Sequence, residues 1–255
     1  LDEGWLRMNL HGKTFIITGA SRGIGEALAL AMAKAGANLI LGARNQVALE
    51  FVRDRVRELG VQVVAVAGSA ASDAAARQMV QAALELGHFK GFVHNAGILN
   101  AGPLVYELVE AQYDEILESN VKGGYQLARH AYPHLLRQEG SVAVFLGSGA
   151  AEHNVPGMGI YAIAKAAEEH LARQLAVEAP DVICFIYRPG IVETDYTRQL
   201  IEAEGGGARV VRPLFKSYLE QGQVITAEQS AKALVRILEG NPRKYHGRIA
   251  TSESI

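Results

Sequence analysis

Short, almost wholly apolar runs alternate along this chain with longer stretches in which apolar residues return at helical spacing. The run Thr14-Phe15-Ile16-Ile17-Thr18 predicts a buried strand, and 25–35, rich in Ala and Leu and ended by Gly36, predicts the helix after it. The rhythm continues with a strand at 38–41 and a helix over 45–59 closed by Gly60. A strand over 61–67, a helix over 72–86 with Ser72 and Asp73 as cap candidates, and a strand at 91–94 follow. The second half predicts a helical stretch over about 112–138, a strand at 142–146 and a helix over 159–179 that ends at Pro180. Then come a strand at 182–187, helical segments over about 195–219 and 227–239, and a short last strand at 248–250.

Strands separated by helices throughout imply a parallel sheet covered on both faces, and near-continuous apolar strands are what such burial requires. The predicted fold class is therefore α/β, a Rossmann-type doubly wound parallel sheet. No Pro- or Ser-rich linker divides the 255 residues and no solenoid period recurs, so one domain over 1–255 is predicted. Residues 1–7, ahead of Met8, lack the basic start and long apolar stretch of a secretory signal and are expected to be a flexible extension. Gly205-Gly206-Gly207, between two helical pieces, is the expected mobile loop.

Composition narrows the function classes. With 49% apolar and 20% charged residues the chain can bury a sizeable core, and a net charge of -2 shows no basic excess that would argue for nucleic acid or an anionic membrane. The apolar stretch 27–33 is stopped by Lys34, far below the roughly 20 residues that span a bilayer. A single cysteine, Cys184, inside an apolar run reads as a buried reduced thiol, which suits the cytoplasm. The histidines show no metal-ligand spacing, so no catalytic metal is expected.

The first strand runs into Thr18-Gly19-Ala20-Ser21-Arg22-Gly23-Ile24-Gly25. Glycine where strand becomes helix permits a tight turn and close backbone approach to a pyrophosphate, which the helix N-terminus then faces with free N–H groups. An acid near the end of the second strand would select a free ribose 2′-hydroxyl. That strand ends in Leu41-Gly42-Ala43-Arg44-Asn45, so Arg44 and Arg22 are expected to converge on a 2′-phosphate, favouring NADP(H) over NAD(H), which remains possible.

Tyr161 and Lys165 lie four apart in a helical stretch and so share a face. A phenol with its ordinary pKa of about 10 is a poor proton donor at neutral pH. An adjacent ammonium stabilises the phenolate and makes it a usable acid or base for a carbonyl oxygen as hydride reaches carbon. Ser148, at the end of a strand, can hydrogen-bond the same oxygen.

Together these residues resemble the short-chain dehydrogenase/reductases over about 10–250. The family's glycine motif matches 18–25, its Asn-Ala-Gly motif Asn95-Ala96-Gly97, its catalytic asparagine Asn120 and its serine, tyrosine and lysine Ser148, Tyr161 and Lys165. Its Pro-Gly motif matches Pro189-Gly190, followed by Ile191, Val192 and Thr194, which in the family meet the nicotinamide. The resemblance implies about seven strands in the order 3-2-1-4-5-6-7. Tyr161 would be the general acid or base and Ser148 the carbonyl anchor. Lys165 would bind the nicotinamide ribose, and Asn120 would hold a water that relays protons from Lys165. It also implies a small-molecule carbonyl or alcohol partner and a homodimer or homotetramer formed through 112–138 and 159–179. The segment 187–195, with 215–223 and Val224-Ile225-Thr226, resembles the sepiapterin reductase and benzil reductase branch, whose substrates would be ketones or vicinal dicarbonyls.

Two departures stand out: Ala67-Gly68-Ser69-Ala70 where many members carry an adenine-binding Asp, and Lys90 where an acid is usual. His153 and Asn154 are expected beside the substrate or in water, and Met158, Tyr196 and Phe215 in an apolar wall or the core. The competing readings are an NAD(H)-dependent alcohol dehydrogenase, a dinucleotide-sensing regulator without turnover, and a scaffold that uses the sheet for interaction.

Overall fold

A computed structural model describes residues 7–254, so the expected extension lies, apart from Arg7, outside the described residues. The strands are β1 (Thr14–Thr18), β2 (Asn38–Ala43), β3 (Val63–Ala67), β4 (Phe89–His94), β5 (Val142–Leu146), β6 (Ile183–Arg188) and β7 (Ile249–Thr251). All pair in parallel in one sheet of order β3-β2-β1-β4-β5-β6-β7, the order the resemblance implied. The helices are α1 (Gly23–Lys34), α2 (Gln46–Arg57), α3 (Asp73–Leu86), α4 (Glu110–Leu117), α5 (Gly123–Leu135), α6 (Gly159–Glu178), α7 (Asp195–Ile201), α8 (Ala208–Glu220) and α9 (Ala227–Glu239).

Both faces of the sheet are covered, which explains why the strands read as apolar throughout. Along β1 the side chains alternate: Phe15 and Ile17 join Leu28, Met32, Leu39 and Leu234 on one side, and Ile16 joins Ile40, Phe92, Leu127 and Phe145 on the other. The chain order reverses between β1 and β4, which opens a crevice at the carboxyl ends of the strands, where ligands bind in sheets of this kind.

The helical stretch expected over 112–138 is not continuous. Between α4 and α5 one π-turn runs over Glu118–Lys122 and carries Asn120. The Asn120 side chain supplies the physical cause. Its amide donates to the Ile116 carbonyl (2.8 Å), the acceptor that a regular helix reserves for the Asn120 backbone N–H, and to the Ile98 carbonyl (2.9 Å).

The glycines at 205–207 do not hang free as a loop. The Gly207 N–H donates to the Gly102 carbonyl (2.9 Å) and the Gly206 N–H to Glu107 (2.9 Å). A side chain at Gly207 would overlap the backbone of Gly157. Close backbone packing is thus what these glycines supply.

Candidate active site

The turn after β1 is built for close approach. Gly19 has φ +66°, and a Cβ at Gly25 would overlap the Gly19 carbonyl oxygen. Asn95 pins the turn from β4, its side-chain amide donating to the carbonyls of Thr18 and Gly19 (3.0 Å each). Arg22, the residue that precedes helix α1, gives it no side-chain cap, so among the described residues the first N–H groups of the helix have no side-chain acceptor. A cleft of about 1380 Å³ passes over Gly19, Ser21, Arg22, Gly23 and Ile24. Gly25 lies behind the turn rather than on the cleft surface, so its part is to let helix and turn close together.

The same cleft continues past Arg44, Asn95, Ala96 and Gly97 to Ser148, Tyr161 and Lys165, and is walled on the far side by Pro189, Gly190, Val192 and Thr194. An uncapped helix start, a glycine turn and a cleft of this length fit a dinucleotide. At the rim, Arg22 pairs with Asp195 (2.9 Å) and Arg44 with Glu115 (3.0 Å), all four side chains being well exposed. The two guanidinium groups thus reach the cleft but each has an acidic partner, which sequence spacing did not show. Exposed pairs of this kind hold by about 0–1 kcal/mol, so they exchange readily for a phosphate. Gly68, Ser69 and Ala70, which stand where many members carry an adenine-binding Asp, line the cleft.

Tyr161 and Lys165 stand one turn apart on α6, exposed by only 8% and 4%, with Nζ 5.8 Å from the phenol ring centre. Two of the three lysine N–H groups are taken, by the Leu146 carbonyl (2.8 Å) and the Glu168 carboxylate (2.8 Å). Ser148 Oγ accepts the Ala150 N–H (3.2 Å), which leaves its own O–H free to donate into the cleft. Asn120 is not on the cleft surface. It is fully buried, and its backbone carbonyl accepts from His94 Nε2 (3.2 Å).

That histidine's tautomer follows from its neighbours. Thr18 Oγ1 already accepts from the N–H groups of Asn95 and Ala96 (3.1 Å each), so its proton goes to His94 Nδ1 (3.0 Å). Nε2 therefore carries the hydrogen given to Asn120. Burial, reinforced by the charge of Lys165, pushes the imidazole down to about 3, so His94 is neutral.

Sequence reasoning missed a second tier of residues beneath the cleft. Glu168 and Glu169 are both buried. Glu169 takes a two-pronged contact from Arg188 (2.8 Å twice), a further contact from Arg173 (3.2 Å), and the Ser148 N–H (3.2 Å). The signal was present: 165, 168 and 169 share one helix face with Tyr161, so two acids stand on a face otherwise read as buried. Of the loop residues, His153 lines the cleft whereas Asn154 is exposed. Met158, Leu99 and Leu200 cluster around Tyr161, with Tyr196 and Phe215 packed against them, which makes the expected apolar wall. The Tyr196 hydroxyl donates to the Gly97 carbonyl.

A family model for short chain dehydrogenases matches residues 13–205. The chain belongs to the short-chain dehydrogenase family. Members are nicotinamide-dependent oxidoreductases that act on alcohols and carbonyls. "11-beta-hydroxysteroid dehydrogenase A" of Sesamum indicum is 33% identical over 89% of this chain, which spans 66% of that relative's length. Among solved structures, a short chain dehydrogenase from Burkholderia cenocepacia in complex with NADP is 29% identical. It covers 97% of this chain and 98% of its own length at a TM-score of 0.82. A 7 alpha-hydroxysteroid dehydrogenase complexed with NADH and 7-oxo glycochenodeoxycholic acid is 26% identical, covering 97% of this chain and 95% of its own, at a TM-score of 0.83. Family membership accounts for the glycine turn and the serine–tyrosine–lysine cluster meeting in one cleft, with the π-turn asparagine buried beneath it. Among the described residues no helix is long and apolar enough to cross a membrane.

Proposed function

We propose that this short-chain dehydrogenase is an NADP(H)-dependent oxidoreductase that reduces a ketone or vicinal dicarbonyl to the alcohol. The observation that carries the reading is the continuity of one cleft from the glycine turn to Tyr161, with Lys165 held one helical turn below the phenol. The bound nicotinamide supplies the hydride. Tyr161 donates its proton to the substrate oxygen, and Ser148, whose O–H is free, donates to the same atom and fixes its position. Lys165 has one N–H left for the cofactor side, and its charge stabilises the phenolate that remains. Leu99, Met158, Leu200 and Phe215 exclude water from the reacting carbon and favour a bulky apolar ketone.

Selection of NADP(H) rests on Arg22 and Arg44 at the cleft rim and on the absence of an acid at the end of β2. The two relatives of known structure hold NADP in one case and NADH in the other, so the residues of this chain decide. The double variant Arg22→Ala/Arg44→Ala should weaken NADPH about 10²-fold and leave NADH within about threefold, since each charge-assisted hydrogen bond is worth ~1.5–3 kcal/mol. Fluorescence titration of both cofactors reads this directly, and tighter NADH than NADPH binding by the unaltered protein would reverse the assignment.

We further propose that two copies pair through α4, α5 and α6, which present Tyr113, Tyr125 and Ile163 at 41%, 48% and 49% exposure. Sedimentation at micromolar concentration should give a dimer or tetramer, and a monomer there would remove the pairing.

A further inference from the structure

Glu168 is a carboxylate with no access to water, a placement that costs free energy unless a partner needs it. One oxygen, Oε2, accepts from Lys165 Nζ at 2.8 Å; the other, Oε1, has no hydrogen-bond partner among the described residues. We propose that Glu168 is the buried counter-ion of Lys165, a positioning residue that keeps the amine protonated and aimed at the cleft when the surroundings become alkaline. The proposal rests on the reading of Lys165 as the partner of Tyr161.

The groups facing the pair leave Glu168 as its source of negative charge. On α6 itself Glu169 is committed to Arg188 and Arg173, and Tyr161 acts in the same direction as Glu168 rather than against it. From β4, His94 comes within 3.9 Å of Oε1 but is neutral, both ring nitrogens being engaged by Thr18 and Asn120. From α7, Tyr196 spends its proton on the Gly97 carbonyl and is itself held in the phenol form by burial. From the π-turn, Asn120 turns an Oδ1 with no partner among the described residues toward Gly97, where a Cβ would lie 3.7 Å from Lys165 Nζ. An amide oxygen and a peptide carbonyl orient an ammonium, but only a carboxylate neutralises it.

The opposing forces give the direction. Burial works to strip the proton from Lys165; the Glu168 carboxylate, aided by Tyr161, outweighs it, so the amine ends above its ordinary value. Burial also pushes the Glu168 carboxyl up to about 7 against the attraction of Lys165. Below that pH the acid is largely neutral and Lys165 is charged because protons are plentiful. Above it the carboxylate forms and holds the ammonium at pH values where burial alone would discharge it. Glu168→Gln keeps the shape and an acceptor for the lysine N–H, and copies the protonated acid at every pH.

The deciding measurement is an NMR titration of the lysine side chains in the cofactor-free protein, with Lys165 assigned through Lys165→Met. In the unaltered protein the Lys165 ammonium should persist to about pH 10 or beyond. In Glu168→Gln its acid dissociation constant should rise at least tenfold, and Glu168→Asp should recover part of that change. Loss of the Lys165 proton below about pH 9 in the unaltered protein, a measurement that needs no variant, overturns the proposal; so does an unchanged titration in Glu168→Gln. Alcohol oxidation should show the same effect, the activity of Glu168→Gln relative to the unaltered enzyme falling about tenfold or more from pH 6.5 to 9. A pH-independent ratio beside a shifted lysine titration would leave the counter-ion in place and remove Lys165 as the proton partner of Tyr161.

Discussion

Phenylalanine at position 161 is expected to lower turnover about 10²–10⁴-fold while cofactor affinity changes by no more than about twofold. Tyr161→Phe deletes one oxygen and little else. The ring keeps its packing against Leu99, Met158 and Leu200. Lys165 remains tied to Leu146 and Glu168, so the helix face under the cleft does not rearrange. Among the described residues no hydrogen bond ends on the phenol oxygen, so none is orphaned and stability should stay within about 0.5 kcal/mol. What disappears is the proton delivered to the substrate oxygen. Loss in kcat with little change in KM is the pattern of an interaction made in the transition state. A panel of ketones and diketones followed by NADPH absorbance reads the result. Unchanged turnover would leave a dinucleotide-binding protein whose chemistry lies elsewhere, and no turnover by the unaltered protein on any carbonyl would favour a sensor.

Much of this was legible in the chain, because the features concerned are local. Alternation of apolar runs with helical periodicity is a property of neighbouring residues, and it located every strand of the sheet, Thr14–Thr18 and Val142–Leu146 to the residue. The glycine turn and the one-turn spacing of Tyr161 and Lys165 are local in the same sense. What escaped depends on residues far apart in sequence. Arg22 and Arg44 were visible, but Asp195 and Glu115, which pair with them, come from α7 and α4. The π-turn at Asn120 comes from a side chain capturing a backbone acceptor, which leaves no trace in hydrophobic spacing. Gly205–Gly207 looked like freedom in sequence, and in space is close packing against residues some fifty and a hundred positions away. His94, at the end of a predicted strand, gave no hint that its ring would bridge Thr18 to Asn120.

The other large effect falls on a residue that touches no reacting group. Glu169→Ala should cost about 3–5 kcal/mol of stability, the range for breaking a buried ion pair from one side. Glu169 is 1% exposed at its side chain and Arg188 14%, and the pair is two-pronged, so the alanine would leave a largely desolvated guanidinium with only Glu152 at the solvent edge. For a chain of this length that loss lowers the melting temperature by roughly 10 °C. Activity should fall too, because the Ser148 N–H loses its acceptor and the serine hydroxyl is no longer held toward the cleft. Two companion variants separate the effects. Glu169→Leu/Arg188→Met replaces both charges with apolar groups and should recover most of the stability, as exchanging a whole buried pair often does. It cannot restore an acceptor for Ser148, so turnover should stay depressed with cofactor affinity intact. Calorimetry beside steady-state kinetics resolves the two. If Glu169→Ala melts within about 2 °C of the unaltered protein, the Arg188 pair contributes little. If the double variant regains full turnover, Ser148 is held by β5 and the turn after it rather than from beneath.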